Sequence, residues 1–361
     1  MDIDEFDDLK IILWLILFLL FGIVIITCKH DPGDYLMTVN GPIKPSEAGI
    51  TLEHEHILVD FIGADSTGYF RWNREDVISK ALPHLNEIKN RQVRTFIECT
   101  PAFLGRDPLL LRELSEQTGL NFITNTGYYG ARNNLYIPGD FFSSEPEQIA
   151  SLWIKEFKTG IEGTGIKPGF IKIAVDPSDT LSPEHRKIII AAALTHLETG
   201  LVIASHTGPE KPAFEQIRIL KEHNVDPSAF IWVHAQRGSA ESNIMAAKEG
   251  TWISLDNIHS RPDLEPGSPN SIEWYAERIM TLKNQGLLNK VLISHDSGWY
   301  DPAKPEGGSF NGYTDIFDSF LPVLKIKGFT DSDIDRLLVK NPAEAFKVKV
   351  RMLSGKINSK L

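Results

Sequence analysis

The stretch Thr51-Leu52-Glu53-His54-Glu55-His56-Ile57-Leu58-Val59-Asp60 sets two imidazoles two residues apart. On a β-strand, side chains at that spacing leave from the same face, so His54 and His56 can share one metal ion. Apolar Ile50, Leu52, Ile57, Leu58 and Val59 fit a short buried strand that ends at an Asp-Phe-Ile-Gly turn. Taken alone, a His-x-His pair also fits an ordinary core or surface pair. Further along, polar side chains recur where apolar runs end: Glu98, His206, His234, Asp256 and His295-Asp296, with Lys172 inside Phe170-Ile171-Lys172-Ile173-Ala174-Val175. Imidazole and carboxylate suit zinc and similar divalent ions, and two such ions about 3.5–4 Å apart can share a strongly acidified hydroxide. Lys172 has two readings. It forms a salt bridge to Asp296 or Glu98, or its amine, neutral through burial near cations, has added carbon dioxide to give a carbamate bridging both metals.

Strands must position these groups. Leu52 to His56, Val93 to Glu98, Asn121 to Thr126, Phe170 to Ala174, Leu201 to His206, Phe230 to His234, Trp252 to Asp256 and Val291 to His295 read as strands. Helical periodicity fills the gaps at 75–89, 108–118, 145–159, 183–199, 211–223, 240–249, 271–285 and 314–325. Ser182-Pro183-Glu184 supplies a cap and a first-turn proline, and Gly200 a stop. Eight strand-helix units in a row predict an α/β fold, a (β/α)8 TIM barrel whose catalytic groups stand at the carboxyl ends of the strands. No Pro/Gly/Ser-rich linker interrupts it, so residues 35–361 are expected to form one domain and 1–34 a separate leader.

Hydrophobic residues make up 42% and charged residues 24%, which supports a large core and argues against disorder. A net charge of −11 without basic runs disfavours nucleic acid and anionic membrane surfaces, leaving a small molecule as the expected partner. Ile11 to Thr27 form an uncharged apolar run of seventeen residues, near the lower limit for a bilayer span. Ile25-Ile26-Thr27-Cys28 resembles the lipobox of bacterial lipoproteins, although Thr27 replaces a smaller residue and Asp2, Asp4, Glu5, Asp7 and Asp8 make the preceding segment acidic. The expectation is a membrane-anchored lipoprotein facing the periplasm or the cell exterior, with an uncleaved signal anchor and a cytoplasm-facing anchor as the alternatives. Cys99, the other cysteine, falls in a predicted buried strand, so no intrachain disulfide framework is expected.

Several segments resemble the phosphotriesterase family of the amidohydrolase superfamily: Thr38-Val39-Asn40-Gly41-Pro42-Ile43, Ser46 to His56, Gly105-Arg106-Asp107, Gly169-Phe170-Ile171-Lys172, Ser205-His206-Thr207, Val233-His234, Ser254-Leu255-Asp256 and Ile293-Ser294-His295-Asp296. The resemblance runs from Tyr35 to about Val348. It implies that His54, His56 and Asp296 hold a buried metal, that His206 and His234 hold a more exposed one, and that carboxylated Lys172 bridges them. Zinc is the expected ion, with manganese, cobalt and iron as others that fit, and a homodimer is an expected assembly. Two positions depart from the pattern. Where the family carries an Asp shortly after the sixth-strand His, this chain reads His234-Ala235-Gln236-Arg237, and the seventh strand ends Asp256-Asn257, where organophosphate-hydrolysing members have a His and lactonase members an Arg. The proton relay of the organophosphate enzymes is therefore missing. Arg237 resembles the subgroup that acts on anionic lactones or N-acyl compounds and is expected to face the pocket, with an ordinary surface Arg as the alternative. Tyr129 matches a tyrosine that lactonase-like relatives carry beside the exposed metal, or it is an aromatic wall. Trp299, Tyr300 and the loop through Gly307-Gly308 to Tyr313 have the look of a substrate-covering segment or a solvated loop.

These readings converge on a binuclear metal hydrolase whose metal-bridging hydroxide attacks a lactone, carboxylic ester or amide, with Asp296 taking the proton. Arg237 favours an anionic substrate. The alternatives are phosphotriester hydrolysis and a catalytically silent tethered binding barrel; the silent barrel is expected to have lost a ligand, and none is missing. Lys172 argues against a mononuclear deaminase-like site.

Overall fold

The computed structural model describes residues 34–354. An antiparallel hairpin opens it, β1 (Leu36–Thr38) on β2 (Gly41–Ile43). Then come β3 (Ile50–Glu55), β4 (Val93–Glu98), β5 (Asn121–Ile123), β6 (Asn125–Thr126), β7 (Phe170–Ala174), β8 (Ile203–His206), β9 (Phe230–Val233), β10 (Trp252–Leu255) and β11 (Val291–Ile293). All pairs among them are parallel, in the orders β3-β4-β5 and β6-β7-β8-β9-β10-β11. Backbone bonds close the ring between the first and last of these strands: Asp296 N–H donates to His54 O at 3.0 Å and His56 N–H to Ser297 O at 2.9 Å. Buried Glu55 reinforces that seam by accepting from the Ser294 hydroxyl, the His295 and Ser297 amides and His295 Nδ1.

Alternation along the strands makes two cores. Ile97, Cys99, Ile123, Phe170, Ile231, Val233 and Leu292 pack together with Leu36, Ala48, Ala343 and Phe346, so the hairpin and the last helix plug the amino-terminal end of the barrel. Phe96, Phe122, Ile171, Ile173, Ile203 and Trp232 point the other way, into the sheath of helices. Lys172, two residues from Phe170, therefore belongs to the inward face, and it is buried.

The helices are α1 (Arg74–Asn90), α2 (Pro108–Thr118), α3 (Pro146–Thr159), α4 (Pro183–Thr199), α5 (Glu210–Glu222), α6 (Ala240–Lys248), α7 (Ile272–Asn284), α8 (Leu321–Ile326), α9 (Asp331–Asp335) and α10 (Asn341–Ala345). Ser182 caps α4 through the His185 amide, and Gly200 ends it in the left-handed region, as its sequence predicts.

Three features differ from the sequence reading. The third strand breaks at Thr124 into β5 and β6, and Gly127 (φ 120°) then brings the chain so close to β7 that an added Cβ would lie 2.0 Å from Lys172 O. The last predicted helix opens as a π-helical turn, Ile316–Phe320, before α8, and α9 and α10 lie beyond it. Tyr300 and Tyr313 are buried, and Tyr313 donates to His56 O at 2.7 Å, so the supposed covering segment is anchored at both ends, while Ala303 to Glu306, Ser309 and Asn311 between them are exposed. The apolar run and Cys28 lie outside the described residues, among which no helix is long and apolar enough to cross a membrane.

Candidate metal centre

The predicted ligands meet at the carboxyl ends of the strands. His54 lies within β3 and His56 one residue past its end; Lys172 stands on β7, His206 ends β8, His234 follows β9 and Asp296 follows β11. His234 (φ 58°) and Asp296 (φ 57°) adopt left-handed backbone, a conformation that costs a non-glycine residue about 1–3 kcal/mol and persists where the surroundings enforce it. Gly298 shows how closely they are packed: an added Cβ there would sit 1.9 Å from His56 O.

Hydrogen bonds from behind orient each ring. Asp256, fully buried, accepts from His54 Nδ1 (3.0 Å) through one oxygen and His234 Nδ1 (2.7 Å) through the other. The His234 amide, the Ser254 hydroxyl and Gln236 Nε2 also donate to this carboxylate. His56 Nδ1 donates to Thr100 Oγ1 at 2.8 Å, whose own hydroxyl donates to Glu98 at 2.6 Å. In all three rings the proton is thus on the outward nitrogen, and Nε2 presents a lone pair to the interior.

Two of those lone pairs face a carboxylate oxygen and the third faces another imidazole. His56 Nε2 is 3.0 Å from Asp296 Oδ1, His54 Nε2 is 3.7 Å from the same oxygen, and His234 Nε2 is 2.7 Å from His206 Nδ1. Lys172 Nζ lies 3.2 Å from His54 Nε2 and has no carboxylate within 4.0 Å among the described residues. Facing lone pairs repel unless a cation lies between them, so the donor set fits divalent metal ions; His54, His56 and Asp296 offer atoms within 4.8 Å of one another. His54, His234 and Asp256 converge equally closely, but protons already fill those contacts.

Electrostatics keep the rings ready as ligands. Burial, and then nearby Lys172, lowers the His54 pKa to about 4 against the pull of Asp256. Burial, with His234 and Lys172, holds His206 well below the ordinary imidazole value. Burial works against the charge on Asp296, but the surrounding imidazoles of His56, His54 and His234 outweigh it and the carboxyl is more acidic than usual. The same balance, set by burial against His234 and His54, keeps Asp256 ionised.

Around the mouth, the Tyr129 ring is 5.1 Å from that of His206, and burial raises its phenol well above the usual range, so it stays a neutral donor. Arg237 is exposed, and its stem crosses Gly208, two residues past His206, where an added Cβ would lie 2.9 Å from Arg237 Cδ. Trp299 packs edge-on against His56 at 5.6 Å, and its buried indole N–H has no partner among the described residues.

Some sequence expectations change. Lys172 makes neither proposed salt bridge; Glu98 serves Thr100 and the Ile57 amide instead. His295, noted as polar at a strand end but outside the predicted ligand set, donates from Nδ1 to Glu55 and accepts at Nε2 from the Ile316 amide. Gln236, read from sequence as a gap in a proton relay, is a buried support for Asp256. The role of Thr100 had no sequence signal beyond its place two residues after Glu98.

Fold and site together define a parallel α/β barrel with a histidine- and carboxylate-lined cluster able to hold metal at the carboxyl ends of its strands. The chain belongs to the phosphotriesterase family, whose model matches residues 34–346. It is similar to the phosphotriesterase homology protein of Escherichia coli (strain K12), 30% identical over 82% of this chain and 98% of that protein. Aryldialkylphosphatase of Saccharolobus solfataricus is also 30% identical, over 84% and 96%. N-acetyltaurine hydrolase of Dictyostelium discoideum is 28% identical, over 85% and 96%. A crystal structure of the E. coli phosphotriesterase homology protein with phosphate in its active site superposes with a TM-score of 0.70, at 26% identity, covering 83% of this chain and 99% of that one.

Proposed function

We propose that this protein is a binuclear metal-dependent hydrolase of lactones, carboxylic esters or amides, preferring substrates that carry an anionic group. One observation carries the reading: three histidines with their protons fixed outward turn lone pairs toward Asp296, His206 and Lys172. His54, His56 and Asp296 would hold one ion, His206 and His234 the second, and Lys172, carboxylated by carbon dioxide, would join them. Such ions, zinc by preference, acidify water and polarise a carbonyl. Asp296 accepts the proton of the attacking water and returns it to the leaving group, a role its low basicity allows only because that water is already acidic. Tyr129 donates to the substrate carbonyl side, and Arg237 meets the anionic end at the rim.

N-acetyltaurine, named for several relatives, is an amide with a sulfonate, and it fits this pattern. Zinc-loaded protein should turn over members of a panel of lactones, carboxylic esters and N-acyl amino acids or aminosulfonates. Arg237→Ala should raise KM about tenfold for anionic members, about 1.4 kcal/mol, and leave neutral ones within about twofold. No turnover of any carbonyl substrate by fully metal-loaded protein overturns the reading.

Residues 1–34 are proposed as a lipid anchor and 35–361 as the catalytic domain held outside the cytoplasm. Fatty-acid labelling at Cys28, abolished by Cys28→Ser, is the expected result; an unlabelled parent protein leaves the uncleaved anchor in its place.

A further inference from the structure

The opposite end of the barrel carries a second cluster of chemistry. A cavity of about 810 Å³ opens there, bounded by segments that precede β3, β9 and β11, by the start of β10, and by the chain around α10. Its walls include Lys290, Arg336, Lys340, Lys349 and Arg351, against the carboxylates of Asp226 and Glu344. In a chain of net charge −11, this is a local reversal of sign.

Pairing sharpens the imbalance. Lys340 is taken by Asp335 at 2.7 Å, and Glu344 by Lys347 at 2.9 Å. Lys290, Arg336, Lys349 and Arg351 have no carboxylate within 4.0 Å among the described residues. Arg351 spends Nη2 on the carbonyls of Glu344, Ala345 and Lys347, which fixes its guanidinium, while Nη1 is buried without a partner. The Lys290 ammonium lies 4.6 Å over the Trp252 ring. Burial, followed by repulsion from Arg351, holds its pKa below the ordinary lysine value. Arg336 and Lys340 bound a five-residue π-helical turn, a distortion that recurs at functional sites.

Clustered, partly desolvated cations repel one another, and an anion among them recovers that energy. A tetrahedral oxyanion suits the arrangement, because its oxygens can accept from guanidinium and ammonium groups on different sides at once. The volume exceeds that of one oxyanion and admits a sugar-sized substituent. We propose that this amino-terminal cavity is a binding site for a phosphate group, borne by a small phosphoester or by a lipid headgroup, separate from the metal centre.

The test is calorimetric titration of the full-length, zinc-loaded protein in detergent, comparing the parent with Lys290→Gln/Lys349→Gln. Inorganic phosphate is one probe and soluble glycerophosphoglycerol the other. The metal centre contributes equally to both proteins, so the double variant should lose one binding event, weakening phosphate at least about tenfold. Loss confined to glycerophosphoglycerol assigns the site to a headgroup, and loss confined to inorganic phosphate assigns it to a free phosphate or monoester. Lys290→Arg, which keeps the charge, should retain binding. Identical titrations of parent and double variant with both probes overturn the proposal.

Discussion

Lys172→Ala should lower kcat/KM by at least about three orders of magnitude, equivalent to about 4 kcal/mol of transition-state stabilisation. The side chain is buried on the inward face of β7, 3.2 Å from His54 Nε2, with no carboxylate partner among the described residues. An ammonium there has one hydrogen-bond partner among the described residues, an imidazole nitrogen that carries no countercharge, whereas a carbamate would supply two oxygens to a cluster otherwise rich in nitrogen. Elemental analysis should show the variant losing bound metal relative to the parent. Short carboxylic acids, able to lie where the proposed carbamate would be, should restore part of the activity. Unchanged metal content together with no chemical rescue would falsify the bridging role. Thermal unfolding of the metal-free proteins separates this from simple misfolding: the variant should keep a cooperative transition, lowered by the cavity that the truncated buried side chain leaves.

Carbonyl substrates should exceed a paraoxon-like phosphotriester in kcat/KM by at least about two orders of magnitude, or about 2.7 kcal/mol. The reason lies in where the polar groups near Asp296 are engaged. Asp256 has both oxygens occupied by donors from His54, His234, Ser254 and Gln236, and Gln236 turns its amide inward onto that carboxylate. Neither can carry a proton outward, and Arg237 is permanently charged. A lactone alkoxide or an amide nitrogen can take the proton from Asp296 directly, before leaving the pocket. Comparable rates on both substrate classes would show that a proton leaves the site by another route.

Much of the candidate cluster was legible because strand ends are where apolar runs stop, and a histidine, lysine or aspartate at that boundary is conspicuous. Lys172 stood out as a charge inside a run that otherwise had to be buried. His295 shared the strand-end signal for another reason, to meet Glu55 across the seam that closes the barrel. What one-dimensional pattern could not carry was pairing at a distance. Asp256 joins histidines 202 and 22 positions away, and nothing local marks a carboxylate as shared. The break at Thr124 was equally hidden, since Asn121 to Thr126 has strand composition throughout and only the approach of Gly127 to β7 bends it.

The shared carboxylate of Asp256 also bears on how the protein meets metal scarcity. One rigid group sets the aim of a ring proposed for the buried ion and a ring proposed for the exposed one, so neither imidazole can swing away without disturbing its counterpart. Occupancy at the two positions would then rise and fall together, and as supply declines the population would divide into fully armed and idle molecules, with few half-loaded barrels between them.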